Sequence, residues 1–157
     1  LRVLQQMRAD INLTIVGPVE DAAYWQSCLQ EINKLPVNIS VNLAGPVPND
    51  ALPSLLAMHH LFVLPTTGEN FGHSIFEAFI AGRPVLISDQ TPWLGLAEKQ
   101  VGWDLPLSYP DAFQQALEIA VAWPQEVFNT WSQAAYDFAT DFIHRPQLLQ
   151  PYKTLFS

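Results

Sequence analysis

The sequence of 157 residues has little cysteine, little positive charge and no long apolar run. Cys28 is the only cysteine, which excludes an internal disulfide framework and disfavours a zinc site built from thiolates. No run of about 18 uncharged apolar residues is present, so the sequence predicts no membrane span. Because 49% of the residues are nevertheless hydrophobic, intrinsic disorder is excluded and a packed core is expected.

The scarcity of positive charge limits the partners. Seven Lys and Arg against fifteen Asp and Glu give a net charge of −8. A nucleic-acid-binding protein needs a basic stripe that displaces counterions from phosphates, and the sequence has none. We therefore expect no nucleic-acid partner. A small anionic ligand is compatible with this charge only where backbone N–H groups at a helix start supply most of the positive potential.

Apolar strand-like runs alternate with helical segments along the chain. The sequence predicts strands at 11–16, 37–45, 61–65 and 84–89 and a weaker edge strand at 101–106. Helical segments separate these strands and fill the chain after residue 110, with breaks at Pro124, Pro146 and Pro151. Strand–helix alternation with short connections predicts an α/β fold: a doubly wound parallel sheet with helices on both faces, followed by a C-terminal helical extension. The continuous apolar run at 61–65 predicts a strand buried on both faces.

The chain length predicts a single domain over residues 1–157, with the sheet and its crossover helices in 1–110 and the C-terminal helices in 111–157. Residues 1–7 are typical of the end of a helix. We therefore expect the sequence to be a piece of a longer protein in which a first strand and loop precede residue 1. Ligands of such sheets bind beyond the carboxyl ends of the strands, which singles out the loops that follow them.

The loop at 66–72 and the helix after it carry most of the polar chemistry. Gly68 and Gly72 let the backbone approach a ligand closely. The helix then begins with free N–H groups and the positive end of its dipole, which favour an anion. Glu69 and Glu77, eight positions apart, are acceptors for hydroxyl groups. An anion site flanked by two hydroxyl acceptors suits a sugar diphosphate.

These residues also have structural interpretations, and the pattern alone does not decide between them. Ser74 and Glu77 fit a capping box, in which the glutamate is the third helical residue. Glu69 also fits a solvated loop acid, and His73 a surface or capping histidine. His59 and His60 have no third ligand at metal spacing, so we interpret them as a helix end.

The string GENFGHSIFEAFIAGRPVLISDQTPW (68–93) closely resembles the E-x7-E donor-site motif of the group 1 (family 4) retaining glycosyltransferases. Segments similar to the same family lie at 16–18, 43–65 and 101–107, in the family's order. The resemblance covers residues 10–110 closely and the later helices loosely. It implies the Rossmann-like, donor-binding C-terminal domain of an enzyme with the GT-B fold.

The resemblance also implies roles for individual residues. Glu77 would accept the ribose hydroxyls, and Glu69 would face the donated sugar as a catalytic group together with His73. The sugar and diphosphate would be held by backbone N–H groups of Phe71, Gly72, His73 and Ser74. The base would rest against the loop after residue 45, with Val47 and Leu64 as apolar walls, and Gly17 would let the nucleotide approach. No metal site is expected, and the nucleotide-diphosphate sugar is a substrate, so no cofactor is predicted.

The function that follows is a hexosyltransferase donor domain, whose acceptor, a glycan or a lipid-linked glycan, binds a missing N-terminal domain. The resemblance places the Arg and Lys that neutralise the diphosphate before residue 1. We expect a cytoplasmic location, with any membrane association carried by the missing part. Two alternatives stay open: an epimerase or phosphorylase of GT-B architecture, and a non-catalytic module that binds nucleotide sugars.

Overall fold

A computed structural model of the chain describes residues 1–144, which divide into two compact units. The first unit comprises Leu1–Leu52 and Tyr109–Ala122. The second comprises Pro53–Ser108 and the residues from Trp123 onward. Each unit contains its own parallel sheet. The predicted breaks at Pro146 and Pro151 lie outside the described residues.

The first unit is built around two parallel strands. Its elements are a 3₁₀ helix Arg2–Gln6, β1 (Ile11–Val16), α1 (Ala22–Ile32), β2 (Ile39–Gly45) and α4 (Pro110–Val121). Strand β1 pairs with β2 from Ile11 opposite Ile39 onward. Asp21 caps α1 by accepting a hydrogen bond from the backbone N–H of Tyr24 at 2.9 Å. Leu4, Met7 and Ile39 form the buried centre of this unit.

The second unit holds a three-stranded parallel sheet in the order β3–β4–β5. Its elements are α2 (Leu52–Ala57, of which Leu52 is counted with the first unit), β3 (Phe62–Leu64), α3 (His73–Ile80), β4 (Val85–Ser88), β5 (Gly102–Leu105) and α5 (Gln125–Ile143). The central strand β4 is buried along its whole length, as its uninterrupted apolar sequence predicts.

Helices α3 and α5 pack together in the core of the second unit. On α3, Ile75, Ala78 and Phe79 are completely buried, and their spacing makes one apolar face. On α5 the facing positions are Ala135 and Ala139, one turn apart and also buried. The small side chains of these alanines let the two helices approach closely. The start of α3, which the sequence singles out, is thus anchored to a rigid core.

The structure confirms the α/β class, all five predicted strands and their parallel direction, and differs in two details. The strands pair in two sheets, β1–β2 and β3–β4–β5, whereas the alternation pattern predicts one sheet. The 61–65 segment is not buried on both faces, since Val63 in the middle of β3 is 41% exposed. Residues 1–7 contain a short 3₁₀ helix at Arg2–Gln6, a helix type that the sequence pattern does not specify.

Candidate functional site

The loop between β3 and α3 is fixed to the loop that follows β4. The backbone N–H of Glu69 donates to the carbonyl of Gln90 at 3.1 Å. The completely buried hydroxyl of Ser88 donates to the carbonyl of Thr66 at 2.5 Å. The Thr66 hydroxyl in turn accepts from the N–H of Gly68 at 3.2 Å. Because these bonds use backbone groups, they fix the course of the loop itself.

Gly72 begins helix α3. It is buried and has left-handed backbone angles, φ 74° and ψ 64°, which favour glycine. The first helical hydrogen bond runs from the N–H of Phe76 to the carbonyl of Gly72 at 3.1 Å. The preceding helical N–H groups therefore have no partner within the helix. This geometry excludes the capping-box interpretation, since Glu77 is the fifth helical residue and Gly72 offers no side-chain cap.

An open hollow of about 600 Å³ lies at this helix start. It is lined by Gly68, Glu69, Asn70, Phe71, Gly72, His73 and Gln90. Four residues that the sequence predicts for the site, namely Glu69, Phe71, Gly72 and His73, are thus brought together. The side chains of Glu69 and His73 are both exposed. The hollow offers one carboxylate, one imidazole and several amide groups to a polar ligand.

Aromatic packing holds one side of the hollow in place. The indole N–H of Trp93 donates to the carbonyl of Phe71 at 2.5 Å. The Phe71 ring lies 5.3 Å from the Trp93 ring and 4.9 Å from the imidazole of His73. Trp93 is itself buried in the core of the second unit. The aromatic wall beside His73 is therefore attached to the core of the second unit.

Three further predicted residues lie in the second unit without lining the hollow. Glu77 follows His73 by one helical turn, so both lie on the face of α3 that is opposite to buried Ile75. Glu77 is half-buried, and Ser74 beside His73 is exposed. Leu64 ends β3 and packs against the apolar core. Their roles toward a ligand stay predictions.

The other two predicted residues belong to the first unit. Gly17 directly follows β1 with φ 133°, and its N–H donates to the carbonyl of Gly45 at 3.0 Å. No atom of the described residues lies within 4 Å of the place where a Gly17 side chain would begin. Val47 follows β2 and is half-buried. The nucleotide contacts assigned to Gly17 and Val47 stay predictions.

Sequence reasoning missed Asn70 and Gln90, both of which line the hollow. Each lies in a loop that directly follows a strand, and the sequence does predict that ligands bind at those loops.

Arg83 has the structural role that its place at the end of α3 suggests. Its guanidinium donates to the carbonyls of His59 at 2.8 Å and Ala81 at 2.9 Å. Burial lowers the pKa of Arg83 below its ordinary value.

The family model described as glycosyl transferases group 1 matches residues 1–137. The chain belongs to the group 1 glycosyl transferases. The hollow at the start of α3 therefore lies in a domain of this family.

This group 1 chain has the same fold as part of a solved structure. The crystal structure of WaaG, described as a glycosyltransferase involved in lipopolysaccharide biosynthesis, matches with a TM-score of 0.66 and 22% identity. The match covers 90% of this chain and 36% of the WaaG chain. At this identity the likeness shows the fold, which is that of a GT-B glycosyltransferase domain. No protein of curated function matches the sequence.

Residues 1–144 of this group 1 chain contain neither a group of metal ligands nor a helix that could cross a membrane. Among those residues, no three His, Cys, Asp or Glu side chains are grouped so as to hold a metal ion. None of the helices in that range combines the length and the apolar content that a membrane crossing requires.

Proposed function

We propose that this group 1 domain binds a nucleoside-diphosphate sugar at the start of α3 and supports a retaining transfer of the hexosyl group. The observation that carries the proposal is the hollow in which Glu69 and His73 meet the open helix start at Gly72. The acceptor would be a glycan or a lipid-linked glycan, bound with the help of a further domain. We propose a cytoplasmic location and no resident cofactor.

The helix start is suited to the diphosphate. The unpaired N–H groups of the first turn and the helix dipole together stabilise a negative group by about 0.3–1 kcal/mol, and by up to ~2 kcal/mol where it is partly buried. Gly72 has no side chain to block the approach. When the bond to the sugar breaks, charge develops on the leaving diphosphate, and preorganised N–H groups stabilise that charge most. The exposed imidazole of His73 is placed to donate to the same group.

The two glutamates are suited to the hydroxyl groups of the donor. A carboxylate that accepts from a sugar hydroxyl contributes about 1.5–3 kcal/mol in a partly shielded site. Glu69 lies in the hollow, where the donated sugar would sit beside the diphosphate. Glu77 lies one turn further along α3 than His73, and in this proposal it accepts hydrogen bonds from the ribose hydroxyls. In a retaining transfer, the incoming hydroxyl attacks from the face that the diphosphate leaves.

Glu77→Gln is expected to weaken binding of the donor nucleotide at least tenfold, since the loss of about 1.4 kcal/mol changes an equilibrium constant by that factor. Calorimetry with UDP, GDP and ADP and with their hexose derivatives measures the change. Glu98→Gln is the control, because Glu98 is an exposed acid of the same unit. If Glu77→Gln binds the donor nucleotide as tightly as the unsubstituted protein does, then Glu77 does not contact the donor.

The reaction class is tested by product analysis. The protein, together with the further domain that helps to bind the acceptor, is incubated in EDTA with a nucleotide hexose, with and without a glycan acceptor. A longer acceptor whose new bond keeps the anomeric configuration of the donor supports the proposal. Isomerised donor sugar formed without acceptor would indicate an epimerase. Failure to bind any of the nucleotide sugars would overturn the proposal.

A further inference from the structure

A second hollow lies beside the first, at the carboxyl ends of all three strands of the second unit. It measures about 380 Å³ and is lined by Thr67, Asp89, Gln90, Pro106, Leu107 and Ser108. The loops after β3, β4 and β5 each contribute to it. Gln90 lines both hollows, so an occupant of the second is a direct neighbour of an occupant of the first.

The walls of the second hollow are held by backbone hydrogen bonds. The N–H of Asp89 donates to the carbonyl of Leu105 at 3.1 Å, which joins the ends of β4 and β5. The N–H of Gln90 donates to the buried hydroxyl of Ser88 at 3.4 Å, and that hydroxyl donates to the Thr66 carbonyl. The loops are therefore set before any ligand arrives, which reduces the entropy lost on binding.

The polar groups of the second hollow suit a neutral polyol. Asp89 presents a carboxylate, one oxygen of which accepts from the Gln90 amide at 2.7 Å. Thr67 and Ser108 add hydroxyl groups that both donate and accept. Among residues 1–144, no Lys, Arg or His lines this hollow, so a phosphate would meet the negative charge of Asp89 and no positive charge from that part of the chain. Pro106 and Leu107 supply apolar surface of the kind that covers the C–H groups of a sugar ring.

We infer that the second hollow binds a neutral hexose unit of the acceptor glycan, with Asp89 as its main hydrogen-bond acceptor. This inference rests on the proposed function, because it takes the first hollow as the site of the donor sugar. The shared Gln90 then lies between the donated sugar and the sugar that receives it. The second hollow would decide which acceptors the domain accepts.

The test uses the methyl α-pyranosides of glucose, galactose and mannose as probes, added to the full chain in the presence of saturating nucleotide sugar. Ligand-observed NMR measures their dissociation constants. At least one probe is expected to bind without displacing the nucleotide sugar, and Asp89→Asn is expected to weaken it at least fivefold. Ser108→Ala is a second variant: it leaves the charge of the hollow unchanged and is expected to weaken binding of the probe. Inorganic phosphate is expected not to compete.

Asp137→Asn is the matched control, because Asp137 is also a surface aspartate that accepts from a glutamine amide, at 2.9 Å. The inference is overturned if no probe binds, if phosphate or the nucleotide sugar displaces the probe, or if Asp137→Asn weakens it as much as Asp89→Asn. Nucleotide-sugar affinity is measured in the same samples and should change less than twofold in Asp89→Asn. Loss of the proposed function would instead appear as absent nucleotide-sugar binding in the unsubstituted protein.

Discussion

Gly102→Ala is expected to lower the free energy of unfolding by about 4 kcal/mol or more, an effect at the extreme of single substitutions. A side chain at Gly102 would begin 2.1 Å from the carbonyl oxygen of Val85 and 2.8 Å from its nitrogen. Both are backbone atoms of the central strand β4, so no side-chain movement relieves the overlap. Gly102 also has φ 150°, which side chains rarely adopt. Urea denaturation followed by tryptophan fluorescence measures the loss.

Gly95→Ala is the control for the backbone conformation alone. Gly95 has φ 67°, and its nearest neighbour is the flexible Lys99 ammonium, 3.5 Å from the added carbon. Conformational strain of about 1–2 kcal/mol is expected there. If Gly102→Ala cost no more than Gly95→Ala, then β5 would not approach β4 as closely as the structure describes.

The comparison of β4 and β5 shows what the sequence predicts well and what it does not. The run 84–89 is apolar throughout, and a fully buried central strand follows directly from that pattern. The prediction for 101–106 is also right in place and in edge position. A glycine within a strand pattern usually weakens the strand, whereas the structure needs Gly102 there for the close approach of two backbones. Such an approach depends on residues 17 positions apart, which local patterning does not record.

The limits of the fold prediction have the same origin. Strand positions depend on local sequence, and all five are predicted. The grouping of the strands into two sheets depends on long-range contacts, and so does the exposure of Val63. The alternation of strands and helices carries no information on which strands become neighbours.

In the candidate site, too, the residues of one local motif are predicted and a residue from a distant segment is not. Glu69, Phe71, Gly72 and His73 are contiguous or nearly so, and the motif that contains them predicts their convergence. Gln90 reaches the same hollow from another strand end, so no local motif identifies it. The capping-box alternative fails because it takes Ser74 as the residue before the helix. The left-handed conformation of Gly72 starts the helix two residues earlier, and only glycine tolerates it readily.

Gly72→Ala is expected to lower the free energy of unfolding by about 2–3 kcal/mol and to weaken nucleotide-sugar binding at least tenfold. Alanine in the left-handed region costs about 1–2 kcal/mol. The added carbon would also lie 2.7 Å from Cδ1 of Ile75, which is completely buried and cannot turn away freely, and 3.4 Å from the Trp93 indole nitrogen. Relief requires the helix start to shift, which moves the N–H groups proposed to hold the diphosphate.

Gly68→Ala is the control for stability, since no atom of residues 1–144 lies within 4 Å of its added carbon and its φ is ordinary for side chains. It should leave the free energy of unfolding within about 0.5 kcal/mol of the original. Binding of UDP-, GDP- and ADP-hexoses to Gly72→Ala is measured at a temperature where circular dichroism shows the variant folded. If Gly72→Ala is folded and binds the nucleotide sugar as tightly as the original, then the start of α3 does not bind the diphosphate. The donor would then have to be held by side chains such as Glu69 alone, without the N–H groups of α3.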